Sequence, residues 1–102
     1  SVLKNMKKKS IIVNTARGGI INELELEKAL SEGLIFGAAL DVFSKEPVEI
    51  NNPLLKNKKV ILSPHSATFT DECTSRMGIE TTKNIIDFFE NKIDKSMIVK
   101  YD

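Results

Sequence analysis

The chain has 102 residues, of which 41% are hydrophobic and 28% are charged, and this is ordinary for one globular domain. Fifteen Lys and Arg residues against fourteen Asp and Glu leave a formal net charge of +1, so no strong overall field directs the chain to nucleic acid or anionic lipid. The apolar runs are far shorter than the roughly 20 residues that cross a bilayer and the single Cys73 has no partner within the chain, so we expect a cytoplasmic protein that binds neither nucleic acid nor membrane.

The first predicted elements are a strand and a helix. Residues 10–14 are a compact, mainly β-branched run, which favours a central parallel strand buried on both faces. Asn22 followed by Glu25 has the pattern of a helix start, and Gly33 suits the left-handed conformation that closes a helix. The helix is predicted to run to about Ser31 and to bury three apolar residues at helical spacing. These are Leu26, Ala29 and Leu30.

The second and third predicted strands cover residues 36–42 and 60–63. Between them, the prolines and paired asparagines of residues 43–57 favour a loop, with one short turn at residues 53–55. The third strand ends before Pro64, because proline has no N–H to donate to a sheet ladder. If the three strands are parallel neighbours, their carboxyl ends meet at one crevice, where open α/β sheets bind ligands.

A long helix and a tail complete the prediction. Thr70 has the pattern of an N-cap, with Asp71 and Glu72 in the first helical turn. Residues 93–102 are expected to be extended. Strands connected by crossovers and followed by a helix indicate an α/β unit with a parallel sheet. Three strands are too few for a complete parallel sheet, so we expect half of a larger fold.

Four short motifs lie at the ends of the predicted strands and in the loop between them. In chain order they are Asn14-Thr15-Ala16-Arg17-Gly18-Gly19, then Gly37-Ala38-Ala39-Leu40-Asp41-Val42-Phe43 with Glu46-Pro47, then Asn52-Pro53-Leu54-Leu55, and Ser63-Pro64-His65. Their order and spacing closely resemble the D-isomer-specific 2-hydroxyacid dehydrogenases over about residues 3–92. The resemblance implies that residues 1–92 are the second half of an NAD-binding domain, a partial Rossmann-like, doubly wound parallel sheet. Residues 93–102 would then lead back toward a substrate domain.

The resemblance implies three catalytic residues. Arg17 is similar to the arginine that grips the carboxylate and carbonyl oxygen of a 2-oxo acid, which suits a planar guanidinium with two parallel donors. His65, the only histidine, resembles the acid/base that protonates the carbonyl oxygen as hydride reaches carbon. Glu46 resembles the partner that orients its imidazole. Taken singly, such residues are more often exposed or structural, so the prediction depends on their joint occurrence.

The resemblance also implies a nicotinamide cofactor, NAD or NADP, at the same end of the sheet. Asp41 is similar to the residue that accepts a hydrogen bond from the nicotinamide carboxamide, although an aspartate at this position also suits a turn or a cap. The remaining residues implied to contact the cofactor are Thr15, Ala16, Arg17, His65, Ser66 and Ala67. No metal ligands are implied.

The function implied is an NAD(P)-dependent dehydrogenase that converts a small 2-oxo acid into a D-2-hydroxy acid and assembles as a homodimer. Two alternatives stay open. One is a corepressor-like binding protein controlled by nucleotide occupancy, since fold alone does not decide function. The other is a formate or phosphite dehydrogenase relative, although the formate enzymes carry Gln where this sequence has Glu46. We expect the chain alone to be an inactive fragment that pairs its uncovered sheet edge with a second copy.

Overall fold

A computed structural model describes residues 2–99, and three of its strands form a parallel sheet in which they lie in chain order. The strands are β1 (Ile11–Asn14), β2 (Gly37–Leu40) and β3 (Val60–Leu62). Helix α1 (Glu23–Ser31) lies between β1 and β2 in the chain, and helix α2 (Asp71–Phe89) follows β3. Short 3-10 turns are formed by Val2–Asn5, Pro53–Lys56 and Lys95–Met97. The predicted α/β class with a parallel, Rossmann-like sheet is confirmed.

The register of the sheet aligns the carboxyl ends of the three strands. Asn14 pairs with Leu40, and Leu40 pairs with Leu62. Three loops therefore leave the sheet at one edge, beginning with Thr15, Asp41 and Ser63. This is the edge at which open parallel sheets bind ligands, as the sequence predicted.

The prediction that β1 is a central strand buried on both faces is wrong. β2 occupies the centre of the sheet, and the Ile11 and Val13 side chains of β1 are 59% and 65% exposed. Only the face of β1 that carries Ile12 packs against the core of the described residues. A β-branched run indicates a strand that packs well against apolar residues on both of its faces. It does not indicate which segments cover those faces.

Helix α1 begins and ends as the sequence predicts. The side-chain oxygen of Asn22 accepts a hydrogen bond from the N–H of Glu25 at 3.0 Å, and Gly33 adopts a φ of 69° just beyond the helix. The buried face of α1 packs with residues of the sheet and of the following loop. The cluster comprises Leu26, Ala29, Leu30, Ile35, Ala38, Leu40, Phe43 and Leu54. Because a fully buried leucine contributes about 1.5–3 kcal/mol, this cluster fixes α1 firmly against the sheet.

Residues beyond Ala67 form a second compact unit. As predicted, Thr70 caps α2, and its Oγ1 accepts a hydrogen bond from the N–H of Cys73 at 3.1 Å. The prediction of an extended tail is wrong at Lys95–Met97, which form a 3-10 turn because the Asp94 side chain caps it. The last part of the predicted tail, residues 100–102, lies outside the described residues. Neither helix combines the length and apolarity that a membrane span requires.

Candidate active site

A histidine and a glutamate from two loops meet at the carboxyl edge of the sheet. Nδ1 of His65 lies 2.7 Å from Oε2 of Glu46, and the two side chains are 48% and 35% exposed. The other carboxylate oxygen of Glu46, Oε1, accepts a hydrogen bond from the N–H of Phe43 at 2.9 Å. The contact therefore engages Nδ1 of His65 and leaves Nε2 as the nitrogen that can exchange a proton with a ligand.

The surroundings of Glu46 favour its charged form. The hydrogen bond from His65 is the largest cause that lowers the pKa of Glu46, and the N–H of Phe43 lowers it further, against opposition from partial burial and from the charge of Asp41. An ionised carboxylate accepts a hydrogen bond from the N–H at Nδ1 of His65. The pair is thus suited to a reaction in which Nε2 gains or loses a proton while Nδ1 keeps its own.

Asp41 braces the loop that carries His65. This aspartate is 3% exposed, and its Oδ1 accepts hydrogen bonds from Oγ of Ser63 at 2.5 Å and from the N–H of Ser66 at 2.9 Å. Its Oδ2 accepts the N–H of Ala67 at 2.9 Å. The Ser63 hydroxyl is the largest cause that lowers the pKa of Asp41, followed by the N–H of Ser66. Asp41 therefore stays charged and holds the chain on both sides of His65.

The backbone of His65 has a φ of 54°. This left-handed conformation costs a non-glycine residue about 1–2 kcal/mol, and it persists only where the surrounding structure fixes it. The hydrogen bonds that Ser63, Ser66 and Ala67 donate to Asp41 offset that cost. The orientation of the imidazole thus depends on Asp41 as well as on Glu46.

Arg17 lies in the loop between β1 and α1, which is shaped by the buried Asn14. Oδ1 of Asn14 accepts a hydrogen bond from the N–H of Ala16 at 3.1 Å, and its Nδ2 donates to the carbonyl of Arg17 at 3.0 Å. The exposed guanidinium of Arg17 donates through Nη1 to the carbonyl of Ala16 at 2.7 Å. Arg17 pairs with no carboxylate within residues 2–99, so its other donors are available to an anionic ligand.

The structure thus brings five of the eight predicted site residues into direct contacts, and the other three lie in a loop that leaves the sheet at the same edge. Glu46 contacts His65, and Asp41 contacts the backbone of both Ser66 and Ala67. The remaining three lie in the adjacent loop after β1. They are Thr15, Ala16 and Arg17. Within the described part of the chain, no group of three or more His, Cys, Asp or Glu side chains is arranged to hold a metal ion.

Sequence reasoning missed three polar residues that shape this edge. Asn14 ends β1 and Ser63 directly follows β3, and a short hydrogen-bonding side chain at such a position is a signal that could have found them. Glu23 had no local signal. Its carboxylate accepts hydrogen bonds from Ser44 and Asn52, which lie 21 and 29 residues further along the chain.

Known proteins are similar to this chain in sequence and in architecture. The family model described as D-isomer specific 2-hydroxyacid dehydrogenase, NAD binding domain, matches residues 1–67. A glyoxylate reductase of Aeropyrum pernix is 45% identical over 98 residues, which are 96% of this chain and 29% of that protein. An acyclic imino acid reductase solved in complex with NADPH and D-Arg is 31% identical, with a TM-score of 0.76 over 89% of this chain and 29% of its own. The structure of a D-lactate dehydrogenase with NAD+ from Lactobacillus jensenii is 25% identical, with a TM-score of 0.72. The match covers 97% of this chain and 33% of the dehydrogenase chain. The chain thus spans about 29% of the length of the curated relative.

Proposed function

The chain belongs to the D-isomer-specific 2-hydroxyacid dehydrogenase family, and on that premise we propose that it supplies the acid/base pair and the substrate-binding arginine of an NAD(P)-dependent dehydrogenase. The observation that carries the proposal is the 2.7 Å contact between Nδ1 of His65 and Oε2 of Glu46. The pair lies at the sheet edge to which the Arg17 loop also belongs. The substrate class is a small 2-oxo acid, with glyoxylate as the first candidate because the Aeropyrum pernix relative is a glyoxylate reductase.

The residues at this edge suit a nicotinamide group. Thr15, Ala16 and Ala67 are exposed, and their small side chains leave room for a flat ring. Oδ2 of Asp41 accepts one hydrogen bond, from Ala67, and a carboxylate oxygen has capacity for a second, such as one from a carboxamide. These features support binding of NAD or NADP, which supplies a hydride to the substrate carbon when bound.

Each of the three side chains has a separate task in the reduction. Arg17 binds the substrate carboxylate through paired N–H donors and so orients the carbonyl carbon. His65 donates the proton on Nε2 to the carbonyl oxygen, so that hydride and proton together convert the 2-oxo acid into a 2-hydroxy acid. Glu46 keeps the proton on Nδ1 and so directs the exchange to Nε2. In the oxidation direction, Nε2 of His65 takes the hydroxyl proton back.

The test is an activity assay of the full gene product. Loss of NADH or NADPH is followed with glyoxylate and with a panel of other 2-oxo acids. We expect turnover with at least one acid. His65→Ala should reduce kcat on the order of 10²–10⁴-fold, the usual contribution of a positioned general acid. Lys58→Ala, an exposed change outside the site, is the control.

The outcomes separate this function from the alternatives. Undiminished turnover by His65→Ala would contradict the proposed acid/base. Nucleotide binding without turnover of any acid would favour the corepressor-like role, and oxidation of formate or phosphite would favour the third interpretation. Homodimeric assembly and a cytoplasmic location stay predictions, and sedimentation of the same polypeptide measures the first of them.

A further inference from the structure

Glu23 reaches from the first turn of α1 to both ends of the loop that carries Glu46. Its Oε1 accepts a hydrogen bond from the N–H of Ser44 at 2.6 Å, and its Oε2 accepts one from Nδ2 of Asn52 at 2.7 Å. We infer that Glu23 is a positioning residue that clamps residues 44–52 and thereby holds Glu46 against His65. This inference rests on the function proposed above, because it assigns Glu23 to the same acid/base pair.

The loop of residues 44–52 contains no helix or strand, so its shape depends on contacts with the rest of the unit. Several of its own hydrogen bonds, such as that from Lys45 to Glu49, lie inside the loop and do not anchor it. Within residues 2–99, the hydrogen bonds that involve a side chain and leave this loop go to Glu23 or to His65, apart from those to its chain neighbours Phe43 and Leu54. Fixing a loop residue costs about 1–2 kcal/mol in backbone entropy, and the clamp contributes to meeting that cost.

The clamp connects the loop to the helix that packs on the buried core of the unit. Glu23 is the first residue of α1, and Leu26 and Leu30 of the same helix are fully buried in the core. At the other end, Ser44 directly follows Phe43, whose N–H donates to Oε1 of Glu46. A short path of contacts therefore runs from the core through Glu23 to the carboxylate that meets His65.

A carboxylate suits this position because both partners are donors. The N–H of Ser44 and the amide of Asn52 each need an acceptor, and Glu23 offers two oxygens at once. Partial burial acts to raise the pKa of Glu23, but the hydrogen bonds from Ser44 and Asn52 outweigh it and hold that pKa below its usual range. Glu23 is thus charged at neutral pH. An acidic residue in the first helical turn also stabilises a helix by itself, so a test must separate the two roles.

The test exchanges the donor and the acceptor of one contact. Glu23→Gln keeps the shape of the side chain but offers an NH₂ group in place of one acceptor, so it loses one of the two loop contacts. Combining it with Asn52→Asp restores that contact with reversed polarity, since the new carboxylate accepts from the new amide and can still accept the N–H of Leu54, as Asn52 does at 3.0 Å. Glu25→Gln, which removes the other acid of the same helical turn, is the matched control.

The measured quantity is the tautomer of the neutral His65 imidazole, read from its ¹⁵N chemical shifts and assigned by their loss in His65→Asn. The contact with Glu46 favours the proton on Nδ1. We expect Glu23→Gln to move the proton population toward Nε2 and to lower kcat for the 2-oxo acid by up to about 10²-fold, the effect of a small misplacement, with little change in KM. Glu25→Gln should match the wild type. The double variant should restore most of the wild-type tautomer population and most of the wild-type kcat.

Each outcome decides the inference. A wild-type tautomer ratio in folded Glu23→Gln, or a double variant no better than the single one, would overturn it, even if Glu23→Gln lowers the Tm. If Glu23→Gln fails to fold, the double variant decides, because only a restored clamp returns the wild-type ¹⁵N shifts. Full activity of His65→Ala would overturn the acid/base role proposed for His65 instead, and the tautomer measurement would still report on the clamp.

Discussion

Gly18 lies directly against the backbone carbonyl of Phe43. A Cβ atom at position 18 would meet the Phe43 oxygen at 1.8 Å and its carbonyl carbon at 2.2 Å, distances that no packed structure tolerates. The contact joins the loop of Arg17 to the loop of Glu46. The absence of a side chain at Gly18 therefore sets how closely the two halves of the candidate site approach each other.

We predict that Gly18→Ala separates these loops. The backbone must move to admit the methyl group, and overpacking of this kind costs about 1–3 kcal/mol, which urea unfolding measures. Activity should fall as well. Gly78→Ala is the control, because among the described residues nothing beyond its chain neighbours and its own helix backbone lies within 4 Å of the added Cβ. A helical alanine is also favoured over glycine by about 0.5–1 kcal/mol. Wild-type stability and activity in Gly18→Ala would contradict the tight contact.

Replacing Asp41 should loosen the His65 loop without disturbing the sheet. Asparagine has one acceptor oxygen where aspartate has two, so in Asp41→Asn either the N–H of Ser66 or that of Ala67 loses its partner. We expect the hydrogen exchange of one or both amides to accelerate by about tenfold or more, since exchange follows local opening. Amides of β2, such as that of Ala38, are the internal control. Unchanged protection at both amides would show that Asp41 does not hold this loop.

The stability of the fold should depend on the charge of Glu46 and Asp41 in acid. The pKa values of both groups are lowered in the folded state, chiefly by His65 for Glu46 and by the Ser63 hydroxyl for Asp41. Because the unfolded carboxyls bind protons first, the stability they contribute is fully present above the unfolded pKa values of about 4 and is lost as the pH falls through the folded values.

Urea unfolding at a series of pH values checks this dependence. The free energy of unfolding should be nearly constant from neutral pH to about pH 5 and fall below about pH 4. Glu46→Gln should make that fall less steep, because it removes one of the carboxyl groups whose pKa folding lowers. A Glu46→Gln profile parallel to that of the wild type would mean that the contact with His65 does not lower the pKa of Glu46.

Arg17→Lys should weaken substrate binding and leave the fold intact. Lysine keeps the positive charge but lacks the planar pair of donors that matches a carboxylate. Loss of one charge-assisted hydrogen bond, worth about 1.5–3 kcal/mol, predicts a decrease of roughly 10- to 100-fold in kcat/KM, mainly through KM. Arg76→Lys, at the only other arginine of the chain, is the control. Unchanged kinetics in Arg17→Lys would remove Arg17 from the site.

The sequence by itself determined the local elements, because their signals depend on neighbouring residues. Asn22 and Thr70 cap the two helices as predicted, since a short side-chain oxygen beside free amide groups acts over three residues. The parallel strands and their common edge followed from apolar runs separated by crossovers. The contact between Glu46 and His65 was expected from the resemblance to the dehydrogenase family, and the structure shows it, while their catalytic roles stay a prediction.

Only the tertiary structure decided which strand is central and which polar groups brace the site. β1 lies at the edge of the sheet although its composition suits the middle, because a strand's own residues do not specify what packs beside it. Asp41 and Glu23 accept hydrogen bonds from partners more than 20 residues away in the sequence. Their local sequence is equally compatible with an aspartate in a turn and a glutamate at a helix start that have no such partners. Hydrogen bonds between loops depend on where the folded sheet places those loops. Local sequence patterns do not determine the distance between two loops that are far apart in the chain.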